Sequence, residues 1–159
     1  PLRGMEARMP AEIGDRHLAN RNYSAAVTAY EQALAIAPHW YFYRRHGEAL
    51  VYMGQYEKAH KSLDEALRLR PDYAPVYEHR GWAYYMTDDY APAVEALTQA
   101  IELGRLRASN FSIRGESQMA LGNLSDAESD LAMAVALNPG KSRYRALLNK
   151  VRALTAPAD

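Results

Sequence analysis

Residues 43–71, YRRHGEALVYMGQYEKAHKSLDEALRLRP, carry the pattern that decides the fold. Tyr43, Gly47 and Leu50 fall at helical spacing, and Gly54-Gln55 interrupts them. Tyr56, Ala59, Leu63 and Ala66 resume the period, and Pro71 ends it. The pattern returns on both sides. Upstream it reads Gly14, Tyr23, Ala26, Tyr30, Ala33, Pro38. Downstream it reads Tyr77, Gly81, Tyr84, Tyr90, Ala93, Leu97, Ala100, and then Phe111, Gly115, Gly122, Leu124, Ala127, Leu131, Ala134, Pro139. The first glycine of each unit sits at 14, 47, 81 and 115, so the spacings are 33, 34 and 34. A fixed period of this length marks units that bury their apolar faces by stacking on one another.

A unit with these Gly, aromatic, Ala and Pro positions resembles the tetratricopeptide (TPR) repeat family, whose unit is a helix–turn–helix. The resemblance covers residues 7–141 as four units, 7–39, 40–73, 74–107 and 108–141. It implies an all-α, right-handed α-solenoid. From Lys141 to Leu154, with the cap expected over 142–154, Tyr144, Leu147, Leu148, Val151 and Leu154 keep helical spacing, while Lys141, Arg143, Arg145, Lys150 and Arg152 cover the remainder. Solenoids need a polar-backed terminal helix, and this segment is expected to be that cap, for about nine helices in all. Residues 1–6 and 155–159 are expected to be disordered tails.

The recurring residues have physical reasons. Arg21-Asn22, Gly54-Gln55, Asp88-Asp89 and Gly122-Asn123 supply turns between the two helices of a unit. Gly47, Gly81 and Gly115 cost helix propensity, about 1 kcal/mol each against alanine, which close approach of two helices would compensate. Ala59, Ala93 and Ala127 are expected across that contact. Asp88 and Asp89 are expected to cap the following helix. The proline is missing after the third unit, where Gly104 is available as a C-cap. The first unit is one residue short at Pro38-His39-Trp40, so its exit should be tighter, and Pro10 predicts a late start for its first helix.

Composition narrows the function. The 159 residues hold 19 basic and 19 acidic side chains and no cysteine. Disulfides, thiolate metal sites and cysteine nucleophiles are excluded. A balanced charge argues against a dedicated nucleic-acid binder. No apolar run is long enough for a membrane span. The first residues lack the apolar core of a signal peptide, which favours the cytoplasm; a chain starting at Pro1 also suggests a processed fragment whose address was removed. Arginine outnumbers lysine 15 to 4, a hint of a GC-rich bacterial genome.

The sequence points to no enzyme. His17, His39, His46, His60 and His79 lie in no metal-binding or nucleophile–base pattern, and His17 and His46 are expected to pack between helices. Gly122-Asn123-Leu124-Ser125 lacks the second glycine and the lysine of a phosphate loop. Catalytic residues, metal ligands and cofactors are therefore expected to be absent.

What the resemblance implies is a concave groove lined by the first helix of each unit. Carried over residue by residue, it assigns Tyr41, Arg44, Arg45, Glu48 and Tyr52 to the groove from the second unit. Glu78, His79, Trp82, Tyr85 and Met86 come from the third, and Ile113, Glu116 and Met119 from the fourth. Exposed aromatics gathered in a concavity usually mark a binding site. Arg44 and Arg45 either grip an acidic group or, for Arg44, pair with Glu48 one turn on. A TPR subfamily holds chaperone C-termini in a two-carboxylate clamp of Lys, Asn, Asn, Lys and Arg. The matching places here hold Ala11, Asp15, Arg45, Pro75 and His79, so that partner is not expected. The function read from the sequence is non-catalytic binding of a protein or peptide in the groove. The alternatives are a self-associating scaffold, a homo-oligomer, or a recruiting domain of a larger protein.

Overall fold

The structure is a computed structural model that describes residues 2–156. Nine helices fill the described residues: α1 (Leu2–Ala19), α2 (Tyr23–Ile36), α3 (Trp40–Tyr52), α4 (Tyr56–Leu69), α5 (Ala74–Met86), α6 (Tyr90–Glu102), α7 (Ala108–Ala120), α8 (Leu124–Leu137) and α9 (Ser142–Thr155). Each odd helix packs on the even helix that follows it, forming a hairpin, and each hairpin packs on the next. The odd helices also touch one another along the chain, α1 to α3 to α5 to α7 to α9. Among the described residues the even helices do not touch each other. The odd layer is therefore the tighter one and forms the inside of the curve. This is an all-α solenoid.

The turns within the hairpins repeat one device. Arg21, Gly54, Asp88 and Gly122 occupy equivalent places with φ of 58°, 72°, 59° and 81°. In each, two backbone N–H groups return to the ends of the preceding helix, as in Gly54 to Val51 O and Gln55 to Leu50 O. Asn22 caps α2 by accepting from Ala25 N–H. Asp89 does not cap α6 with its side chain, contrary to expectation; Asp88 instead accepts from Tyr90 Oη at 2.6 Å.

The glycines meet the expected alanines through backbone at two units, and leucine side chains approach them more closely still. A Cβ added at Gly47, Gly81 or Gly115 would lie 2.7, 2.6 or 2.9 Å from Leu63, Leu97 or Leu131. The alanines contribute only the next shell, through the carbonyls of Ala59 and Ala127 at 3.4 and 3.2 Å. In the first unit Tyr30 takes the leucine's place against Gly14. Ala26, Ala59, Ala93 and Ala127 are all fully buried.

Two expectations about the first unit come out differently from one another. Its exit is the tightest, residues 37–39 between α2 and α3 against residues 70–73 between α4 and α5. Its first helix does not start late: α1 runs from Leu2 straight through Pro10, so residues 2–6 are helical rather than a tail. Proline there removes one hydrogen bond to the carbonyl four residues earlier, and burial of Ala7 and Ala11 on the hairpin contact outweighs that loss. The helix also reaches Thr155 at the other end, and the expected tail over 157–159 lies outside the described residues. On α9, Tyr144, Leu148 and Val151 are buried, whereas Leu154 faces outward.

Candidate functional site: the concave groove

The odd helices α3, α5 and α7 place their inner faces around a pocket of about 500 Å³. Of the residues assigned from the sequence, Arg44, Glu48, Tyr52, Glu78, His79, Trp82 and Ile113 line it. Tyr52 and Trp82 meet edge-to-face with ring centres 5.6 Å apart, and Tyr52 stacks on Tyr23 at 5.0 Å on its other side. Trp82 is half-buried, with one part packed on the core around Leu63 and Val76 and one part open to the pocket.

The charges of the groove are used inside the protein. Asp15 accepts from Tyr30 Oη at 2.7 Å, Tyr41 Oη at 2.8 Å and Arg45 Nε at 2.9 Å. Burial raises the pKa of Asp15, but these three donors outweigh it and hold the carboxyl below its ordinary value. Burial likewise opposes the charge on Arg45, and Glu48 and Asp15 more than restore it. Glu48 accepts from Arg45 at 2.9 Å and from Arg44 at 3.2 Å. The arginine pair therefore forms an internal network rather than an open grip. Arg44 also lies over Tyr41 and Tyr73, and Arg70 lies 4.5 Å from the Trp40 ring centre.

The other assigned residues fall outside the pocket. Tyr41 is turned to Asp15. Tyr85 Oη donates to Glu116 at 3.0 Å, and Glu116 also receives Arg143 of α9 at 2.9 Å. Met86 is exposed, while Met119 packs against the cluster of Ala127, Leu131, Leu148 and Val151. His79 is buried in the pocket wall: Nδ1 donates to the Pro75 carbonyl at 2.7 Å, and Nε2 faces Glu48 at 3.8 Å. Burial lowers its pKa, so it is neutral at neutral pH.

Sequence reading missed four pocket residues: Tyr73, Arg105, Arg107 and Asn110. The two arginines come from residues 103–107, the linker that lacks the repeat's proline. That departure was the available signal. Arg105 pairs with Glu78 at 2.6 Å and Arg107 reaches the same carboxylate at 3.5 Å.

One constellation resembles a nucleophile, base and orienter. Ser62 Oγ lies 2.7 Å from His46 Nδ1, and Glu31 lies 3.7 Å from the opposite ring nitrogen. Ser62 is 8% exposed and sits within α4, whose backbone N–H groups are consumed by helix bonds, so it has no oxyanion donors. The arrangement is a buried hydrogen bond between α3 and α4. Among the described residues no three His, Asp or Glu side chains are placed to hold a metal ion. Among the described residues no helix is long and apolar enough to cross a membrane.

Tetratricopeptide repeat models match residues 12–49 and 74–103, and a TPR repeat model matches residues 47–88. The chain belongs to the tetratricopeptide repeat family. The co-chaperone sgt12 of Aspergillus fumigatus is 34% identical over 103 residues, 64% of this TPR chain and 30% of its own length. The chain likewise spans under a third of the first curated relatives it matches. Among solved structures, MamA 41-end from Desulfovibrio magneticus RS-1 superposes with a TM-score of 0.86 at 19% identity, over 93% of this chain and 84% of that one. The first TPR of Spaghetti (RPAP3), bound to HSP90 peptide SRMEEVD, superposes with a TM-score of 0.68 at 23% identity, over 74% and 94%. This TPR chain is a protein-interaction module. Its curated relatives include a fungal and an animal protein, so the bacterial origin expected from the arginine excess finds no support.

Proposed function

We propose that this TPR chain holds an extended segment of a partner protein in the concave groove, with a large apolar side chain of that segment seated on Tyr52, Trp82 and Ile113. The observation that carries this reading is the pocket of about 500 Å³ between α3, α5 and α7, where an aromatic and aliphatic floor stays accessible while Arg44, Arg45 and Glu48 pair internally. Large rigid aromatics contribute contact area at little entropic cost, which suits them as anchors.

A relative named as a co-chaperone and a fold neighbour bound to an HSP90 peptide suggest an acidic chaperone peptide, held by its C-terminal carboxylate, as occupant. The residues argue otherwise. The place that a clamp asparagine would take holds Asp15, an ionised carboxylate already filled by Arg45, Tyr30 and Tyr41. A second carboxylate brought there meets repulsion and no free donor.

The test is capture by cross-linking in cells of the native source, with wild type and Trp82→Ala side by side. Trp82→Ala is expected to weaken the captured partner by at least about 2 kcal/mol while leaving helicity intact. Any binding of the peptide SRMEEVD is expected to be unchanged when its C-terminal carboxyl is amidated. Equal capture by both forms, or binding of that peptide that requires its free C-terminal carboxylate, would overturn the reading.

A further inference from the structure

Around the pocket three guanidinium groups, Arg44, Arg105 and Arg107, share only two carboxylates, Glu48 and Glu78. They are not equally held. The Arg44 side chain is 12% exposed, and Arg105 sits 2.6 Å from Glu78. Arg107 is 58% exposed, and its Nη1 lies a long 3.5 Å from Glu78 Oε1, while Arg105 holds Oε2. It is the loosely held cation of the pocket, and its charge faces solvent beside the aromatic floor.

The loop that presents Arg107 is itself held in shape. Asn110, 2% exposed, donates from Nδ2 to the Arg105 carbonyl at 3.0 Å. The N–H groups of Leu106 and Arg107 return to Gly104 O and Arg105 O, each at 2.9 Å, and Gly104 sits at φ 88°. A pre-shaped loop loses little entropy when a ligand arrives. Leu106, between the two arginines in sequence, is 60% exposed.

We propose that residues 105–107 read acid: the segment bound in the groove carries an aspartate or glutamate side chain that lies against Arg107, next to its apolar anchor on Trp82. This rests on the groove reading and adds the chemistry of the partner, an internal acidic side chain rather than a chain terminus. The net excess of one positive charge among the pocket's five ionised groups favours that ligand. A guanidinium meets a carboxylate in a two-pronged geometry that lysine would not provide.

The test is selection of a random peptide library fused through its C-terminus to a phage coat protein, so that no free carboxyl terminus is offered. Wild type is expected to enrich peptides with one large apolar residue and one nearby acidic residue. Arg107→Glu is expected to keep the apolar preference and exchange the acidic one for a basic one. The synthetic wild-type consensus peptide should bind Arg107→Glu about tenfold more weakly. Glu78→Gln releases both loop arginines, and the same peptide should bind that variant more tightly. Circular dichroism on both variants checks that the helices remain. Apolar enrichment with no acidic preference, or an acidic preference that survives in Arg107→Glu, overturns the loop's role and leaves the groove reading standing. Peptides whose binding ignores Trp82→Ala overturn both.

Discussion

Gly81 is packed so closely that even a methyl group would stand 2.6 Å from Leu97 Cγ. Gly81→Leu is therefore expected to cost roughly 1–3 kcal/mol, read as a lowered melting temperature; a melt near wild type would mean that α5 and α6 separate easily. Arg21 is the opposite case. Its φ of 58° suits glycine, and its side chain is exposed. Arg21→Gly should stabilise the chain by about 1 kcal/mol through relief of left-handed strain. Asp15 makes a third case. Burial works against its charge, but three donors hold the carboxyl below its ordinary 3.8. A lowered acid contributes stability above the unfolded value and loses it as pH falls through the folded one. Asp15→Asn should lower the melting temperature at neutral pH, and the gap to wild type should close below pH 3.8. A gap independent of pH would show that Asp15 acts by shape alone.

At the scale of the element, the terminal helix is the clearest test of solenoid energetics. α9 buries Tyr144, Leu148 and Val151 against Ala127, Leu131 and Ala134. It also carries Arg143 to Glu116 and Arg152 to Glu128, exposed pairs that add little. Removal uncovers apolar side chains worth about 1.5–3 kcal/mol each, less the entropy regained by the freed segment. The truncated chain should melt several degrees lower and associate with rising concentration, more so at high salt. Sedimentation and a thermal melt decide it, and a monomer as stable as the parent would make α9 an appendage. The element scale also shows what periodicity conveys. Tyr144, Leu148 and Val151 were readable as a buried stripe, whereas Leu154, on the same spacing, lies past the last contact and faces water. The early start of α1 was not readable, because a local proline rule competes with burial of Ala7 and Ala11 that only the hairpin supplies.

For the molecule as a whole, the shared feature is a set of histidines at the junctions between helices, His79 buried and His46 and His60 half-buried. Burial lowers the pKa of His46, His60 and His79 below the ordinary 6.5. Neighbouring charges modulate this: Arg80 works in the same direction at His60, whereas Glu31 at His46 and Glu48 at His79 work against it. Between the folded and unfolded values the unfolded chain binds more protons, so stability rises with pH there. The contribution is complete above pH 6.5 and is lost as the solution is acidified below it. Thermal melts at about pH 7.5 and about pH 5.5 should therefore show the lower temperature at the lower pH. Equal melts would mean that the protonated rings find partners in the folded chain.

The sequence by itself determined the repeat, the hairpin turns and the small residues between helices, because each is a short-range pattern that recurs every 33 or 34 residues. It also nominated the odd-helix faces as a groove and placed Tyr52, Trp82 and Ile113 there. Only the tertiary structure decided what the groove's charges do. Asp15 meets Arg45 across 30 residues, Glu78 meets Arg105 across 27, and Glu116 meets Tyr85 across 31 and Arg143 across 27. The Asp15 and Glu116 pairings join neighbouring units or the cap, and Glu78–Arg105 joins α5 to the linker that closes the same unit; each depends on how the helices pack, a quantity that no local spacing encodes. The same reason hid Arg107. Its place in a linker was visible, but its long 3.5 Å reach to Glu78 Oε1, beside Arg105 at 2.6 Å on Oε2, follows from how the linker folds back over α5.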